Sequence, residues 1–201
     1  MRVPAFIGCC PNAGYSGTNV HVMKNRMQRF FLLVAITVIA AFVAGCSSCK
    51  PGKTGPPGKY TIEVTLDDSL KQASVPVDIV GVNAASLPRW QSYPMSEYWK
   101  PRDSMRTDAD KVELNFAAGQ ALTRTVDIKD PKWEQWKKKG VTHVLILAYL
   151  PGAHTDKEGT QDSRRQILPL DVCHWTDDTE KLTLLVKRSG IDPITPPRAG
   201  K

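Results

Sequence analysis

The sequence lacks the short signatures of the common enzyme classes. It contains no Gly-x-Ser-x-Gly elbow, no phosphate-cradling glycine loop and no His-Glu-x-x-His pair, which excludes the hydrolase, P-loop and zinc-protease patterns. Histidine is scarce. Of four residues, His143, His154 and His174 follow position 45, the first in an expected strand and the second in an expected loop. Cys173 and His174 are adjacent in an expected strand, so their side chains point to opposite faces and would not share a metal. The carboxylate pairs Asp67/Asp68, Asp108/Asp110 and Asp177/Asp178 fall in loops, where such pairs solubilise turns. The expectation is a protein with no catalytic residues and no metal.

Two further absences concern the first 45 residues. No Asp or Glu occurs before Cys46, and the apolar run from Phe30 to Val43 is short of the ~20 residues a membrane-spanning helix needs. Lys24, Arg26 and Arg29 precede the run, and the small residues Ala44 and Gly45 close it. This is the layout of a secretory signal. Residues 1–22 show no helical or strand period and read as an over-extended start or unusual leader, with Met23 (or Met27) the conventional start of a signal over 23–45. The sequence Val43-Ala44-Gly45-Cys46 resembles the lipobox of bacterial lipoproteins. The resemblance implies cleavage before Cys46 and covalent lipid, including palmitate, on its sulfur and amino group, with no other cofactor. Ser47 stands where proteobacterial lipoproteins retained in the inner membrane carry Asp, which implies the periplasmic face of the outer membrane.

Processing changes the charge argument. The whole chain has 27 Lys and Arg against 20 Asp and Glu, a net charge of +7 that would invite a nucleic-acid reading. Removing Arg2, Lys24, Arg26 and Arg29 with the signal leaves 23 basic against 20 acidic residues, a net +3. That is an ordinary surface with no stripe for phosphate, so no nucleic acid is expected.

Five cysteines remain to be placed. Cys9 and Cys10 precede the signal and Cys46 carries the lipid, leaving Cys49 and Cys173. An oxidising compartment would allow these two to pair. The alternative, preferred on the sequence, is a buried Cys173 and a mobile Cys49. Residues 46–59, with Pro51, Gly52, Gly55, Pro56, Pro57 and Gly58, read as a tether that lifts the domain off the membrane at about 3 Å per residue.

A domain is expected over 60–190. Tyr60, Ile62, Val64 and Leu66 alternate with polar residues as in a half-buried strand, a polar loop follows, and 75–82 forms a second strand. Ser86 is expected to cap the first of two short helical pieces bearing Leu87, Trp90, Tyr93, Tyr98 and Trp99. Strands over 112–116 and 122–128 are separated by a hairpin-length connection. Asp130-Pro131 opens the clearest helix, ended by Gly140, with Trp133 and Trp136 on one face. Residues 141–150 form the most apolar strand, 153–163 a mobile polar loop, and 164–174 another strand, in which Pro169 points to an edge position or a bulge. A strand over 181–187 completes the set, and 191–201 reads as a flexible tail. About seven short strands without βαβ alternation predict an all-β sandwich with small helical insertions.

Trp90, Tyr93, Tyr98 and Trp99 admit two readings. Exposed and coplanar, they would form a platform for a carbohydrate or other ligand; packed inward, they would pin the helical insertion to the sandwich. The inward packing is favoured, because buried aromatics carry the most area for holding a small element down.

The order of elements adds a resemblance. After the lipobox, the strand TIEVTL leads through a polar loop to SVPVDIVGV, then to the insertion SLPRWQSYPMSEYW, and later to VTHVLILAYL, QILPLDV and LTLLVKR. This order resembles the TssJ-type outer-membrane lipoproteins of the type VI secretion system. The resemblance implies a transthyretin-like sandwich without enzymatic activity that holds the periplasmic end of an inner-membrane TssM-like partner. The partner-binding loop it implies is Asp67, Asp68, Ser69, Leu70, Lys71, Gln72 and Ala73. That loop lacks the Asn-Pro-type sequence often found there, and 100–110 is more charged than the family leads one to expect.

Overall fold

A computed structural model describes Cys49, residues 54–176 and residues 178–198. The expected signal sequence, the lipobox-like segment and Cys46 lie outside the described residues.

The strands are β1 (Thr61–Leu66), β2 (Val75–Val82), β3 (Lys111–Phe116), β4 (Thr123–Val126), β5 (His143–Ala148), β6 (Arg165–Pro169), β7 (Lys181–Lys187) and β8 (Gly190–Pro193). They form two four-stranded sheets, ordered β4-β1-β7-β8 and β3-β2-β5-β6, so the chain is an all-β sandwich. Ile62, Val64 and Leu66 of β1 and Leu182, Leu184 and Val186 of β7 point into the space between the sheets. Their polar neighbours face out, including Glu63, which pairs with Lys181 across the parallel β1–β7 ladder at 3.0 Å. Alternation survives in this sheet because only one of its faces is covered.

The second sheet is covered on both faces, which is why β2 and β5 read as nearly continuous apolar runs. Val77, Ile79, Val144 and Ile146 join the inter-sheet core. Val80, Val82, Leu145 and Leu147 face the other way, into a second apolar cluster with Trp90, Met95, Tyr98 and Met105. Those residues belong to the short helices α1 (Leu87–Ser92), α2 (Met95–Tyr98) and α3 (Ser104–Thr107). Helix α4 (Lys132–Lys138) buries Trp133 and Trp136, and the Asp130 carboxylate accepts from the Lys132 amide at 2.8 Å. Gly81 in β2 serves this packing: a Cβ there would lie 2.5 Å from the Trp136 ring.

Several sequence expectations need correction. The strands 112–116 and 122–128 do not form a hairpin. Phe116 of β3 pairs with Val75, whereas Thr123 of β4 pairs with Thr65 in the other sheet, so the 117–122 connection crosses the sandwich. Alternation marks a half-buried strand but not its neighbour. Ser86 does not cap α1 with its hydroxyl; the Asn83 carboxamide oxygen accepts from both the Ser86 amide (2.9 Å) and its hydroxyl (2.7 Å). Residues 191–193 are not a frayed tail but part of β8, where Ile191 is buried and pairs opposite Val186. Cys173 and His174 lie in a turn beyond β6 rather than in a strand.

The largest correction concerns the cysteines. Cys49 and Cys173 form a disulfide across 124 residues of sequence. The end of the expected tether also packs on the domain. The Gly58 amide donates to Leu170 O (2.7 Å), the Val172 amide to Pro56 O (3.1 Å), and Pro57 forms a bridge with Asp171. Pro and Gly rule out regular structure, but they do not prevent a segment from being laid down as a strap.

Arg102 adopts φ 62°, a left-handed conformation that L side chains avoid. Arg102→Gly is expected to stabilise the domain by about 0.5 kcal/mol, the relief of the left-handed conformation outweighing the greater freedom of glycine in the unfolded chain. Urea denaturation would read this as a higher midpoint at unchanged slope.

Candidate functional site

Because β1 and β7 run parallel, Leu66 and Val186 end at the same edge of the sandwich. The 67–74 loop and the 188–189 turn therefore lie side by side, joined by the 117–122 crossing that leads into β4. The loop is a built structure. Asp68–Leu70 makes one 3-10 turn, in which the Asp67 carboxylate accepts from the Ser69 amide at 3.0 Å. Hydrogen bonding from Ser69 holds the Asp67 carboxyl below the usual carboxylate range. The Leu70 side chain is fully buried in the core and pins the turn from below. From the sides, the Arg188 guanidinium donates to Ser69 O (3.1 and 2.9 Å) and the Gly119 amide donates to Lys71 O (2.9 Å).

This geometry divides the seven residues implied by the resemblance. Asp68, Ser69, Lys71 and Gln72 are exposed and available to a partner. Asp67 and Ala73 are half-buried, and Leu70 faces inward. Arg188 and Gly119 complete the surface, and sequence reasoning missed both. The signal lay in the chain, since Arg188 directly follows a strand parallel to β1, but the parallel pairing is not visible locally.

The aromatic group occupies a different place. Trp90 and Tyr98 are buried and meet edge to face at 6.0 Å and 61°. Tyr98 and Trp99 stand at 89°, and Trp99 carries the Arg106 guanidinium at 4.5 Å on its ring. The Tyr93 hydroxyl donates to Asp103 at 2.6 Å. The four rings are not coplanar; they hold α1–α3 against the sheet. Tyr149, which is exposed and stands 5.6 Å from Trp99, instead borders an open groove of about 490 Å³ with Pro101, Pro151 and His154.

The charge in 100–110 is explained by what lies beneath it. Asp78 of β2 is fully buried under the helices, where it accepts from the Tyr98 hydroxyl (2.8 Å) and Arg106 Nε (2.9 Å). Burial and the Asp78 carboxylate together push the Tyr98 hydroxyl far above its ordinary value. The 153–163 segment, expected to be a mobile loop, is held by a second network. Arg164 pairs with Asp162 (2.7 Å) and Asp156, and Asp156 also accepts from the Ser96 hydroxyl and, at 2.9 Å, from its amide. Arg165 donates to four backbone carbonyls.

These networks set a pH dependence. Burial opposes ionisation of Asp162, yet the hydrogen bonds from Arg164 outweigh it and lower the carboxyl pKa. Burial likewise opposes Asp156 and Asp110, which Ser96 with Arg164 and Lys132 with Lys139, respectively, hold low. A lowered carboxyl contributes stability above its unfolded value of about 4 and loses it as pH falls through the folded pKa. His143 is lowered by burial and by His174, so the unfolded chain takes up its proton first as pH falls below about 6.5. Both signs agree. Urea midpoints should fall from pH 7 to pH 5 and fall further below pH 4; a midpoint that rises on acidification would contradict these assignments.

Among the described residues, no group of three or more His, Cys, Asp and Glu is placed to hold a metal, and no helix is long and apolar enough to cross a membrane.

No protein-family model matches the chain, and no curated protein sequence does. Among solved structures, the chain is similar to Serratia marcescens Lip, a membrane-bound component of the type VI secretion system, at 12% identity over 69% of this chain and 96% of that one, with TM-score 0.42. It is similar to the type VI secretion lipoprotein TssJ1 of Pseudomonas aeruginosa, at 10% identity over 73% of this chain and 100% of that one, with TM-score 0.42. A structure of the TssM C-terminal domain from EAEC is matched at 10% identity over 67% of this chain and 99% of that one, with TM-score 0.45. At these identities and scores they are likenesses, and no residue role is carried over from them.

Proposed function

We propose that this chain is a lipid-anchored, non-enzymatic docking module of a type VI secretion membrane complex, TssJ-like in role. In this reading it is tethered through Cys46 to the periplasmic face of the outer membrane and holds a TssM-like partner. One observation carries the reading. The 67–73 loop is pre-formed, braced by Leu70, Arg188 and Gly119, and presents Asp68, Ser69, Lys71 and Gln72 outward. A loop already held in one conformation loses little entropy on binding, which favours its use as a docking surface. The lipobox-like sequence supports the anchor, and the element order supports the TssJ-like role.

Deleting the loop would remove Leu70 from the core and confuse binding with unfolding. The cleaner variant is Asp68→Arg with Lys71→Glu, both exposed, which reverses two charges and keeps Leu70. Its unfolding free energy should stay within about 0.5 kcal/mol of the parent. Its capture of a TssM-like periplasmic domain should drop at least about tenfold, the scale on which one or two interface side chains act. Unchanged capture by the folded variant would remove this loop from the interface.

A further inference from the structure

The disulfide changes where the domain is attached. The strap 54–58 is bound along its length to the 170–173 turn. Beyond its backbone bonds, the Gly55 amide donates to Asp171 Oδ1 at 2.6 Å, and a Cβ on Gly55 would lie 2.7 Å from Val172 and 2.8 Å from Cys173 Sγ. With hydrogen bonds alone, the first fixed residue after Cys46 would be Gly55, nine residues on, a reach of about 30 Å. The Cys49–Cys173 bond shortens this to three residues, about 10 Å.

The short leash selects one end of the sandwich. Thr61 and Lys181, which begin β1 and β7, lie at the strap end, and Leu66 and Val186 lie at the loop end, about 17 Å away along the strand. Helix α4 belongs to the strap end. Lys59, next after the strap, pairs with Glu134, and an apolar groove of about 370 Å³ runs between Pro56-Pro57-Gly58 and Trp133, Trp136 and Leu170. Lys137 and Lys138 are exposed on the last turn of α4, Lys137 on the wall of this groove. The rest of the charge there is largely neutralised, Lys132 and Lys139 sharing Asp110, so the short leash is the main constraint and charge a secondary one.

We propose that this end, comprising the strap, α4 and the 171–175 turn, is a phospholipid-contact surface, and that the Cys49–Cys173 bond holds it to the bilayer with the 67–73 loop directed away. The inference rests on the lipid-anchor reading above. It turns a passive tether into an orienting device, because a reach of about 10 Å from Cys46 allows the domain fewer orientations than a reach of about 30 Å.

The test uses the full lipoprotein, lysine-labelled with nitrogen-15, in bilayer nanodiscs whose headgroups carry a paramagnetic label. Lys137 and Lys138 should be broadened strongly relative to a diamagnetic control, and Lys71 of the 67–73 loop should not. In the Cys49→Ser/Cys173→Ser variant, still in nanodiscs and still folded by its dispersed methyl spectrum, this contrast should be lost. Equal broadening of Lys71 and Lys137 in the parent, or a contrast that survives in the variant, would overturn the proposal. The mass of the amino-terminal peptide reads lipid on Cys46 separately. A missing lipid removes the anchor reading itself, whereas a lipidated protein without the contrast removes only the orientation.

Discussion

Arg165→Ala is expected to cost the domain about 3–5 kcal/mol of stability. The side chain is 2% exposed, and its guanidinium donates to Trp90 O (2.6 Å), Tyr93 O (2.9 Å), Lys157 O (2.6 Å) and Gly159 O (2.8 Å). Among the described residues it makes no ion pair; burial lowers its pKa, against the pull of Asp162. Truncation would strand four carbonyls, each costing about 1–3 kcal/mol where water cannot reach, and leave a void the size of the side chain. The carbonyls come from both the helical insertion and the 153–163 segment, so the two would loosen together. Arg165→Lys should recover little, because an ammonium cannot reproduce the planar fork that reaches four acceptors. Urea denaturation of both variants measures this directly. A loss below about 1 kcal/mol for the alanine variant would mean that the carbonyls find other donors.

The second large effect concerns the disulfide. Cys49→Ser/Cys173→Ser is expected to lower stability by about 4 kcal/mol, because closing a loop of this length in the unfolded chain removes entropy worth roughly 4–5 kcal/mol. For a domain of this size that corresponds to a melting temperature lower by roughly 10–15 °C. Reduction of the parent protein should reproduce the shift, and the serine variant should be insensitive to reductant. A parent whose melting temperature does not respond to reductant would show that the bond adds no constraint beyond the strap's hydrogen bonds. Under the anchor reading, the same bond also brings the bilayer within reach of α4, so stability and orientation would depend on one redox condition.

Much of the fold could be read locally. The alternation in TIEVTL and KLTLLVK identified both strands and their buried faces, because that sheet is covered on one side only. Asp130, Pro131, the two tryptophans and Gly140 marked α4 almost residue by residue. Pro169 admitted an edge position or a bulge for β6, and the sheet order shows the edge, where its missing donor is not needed by a further neighbour. For the candidate site, the loop was placed by its polar sequence and by resemblance. Its division into outward and inward residues was not, since Leu70 looks like any loop leucine until its burial is seen.

The amino-acid sequence alone therefore determined most of the segments that become strands and helices and which of their faces seek the core. Those are short-range properties, written in periods of two and 3.6 residues. The tertiary structure decided what depends on distant partners. It placed β3 and β4 in different sheets, gave Asp78 its Arg106 and Arg165 its four carbonyls, and made a strap of the proline- and glycine-rich segment. Cys49 carries no local sign of Cys173, 124 residues away. Only the closing of the sandwich brings the two thiols together, because loop closure over such a length is favourable only once the rest of the domain has already spent the entropy.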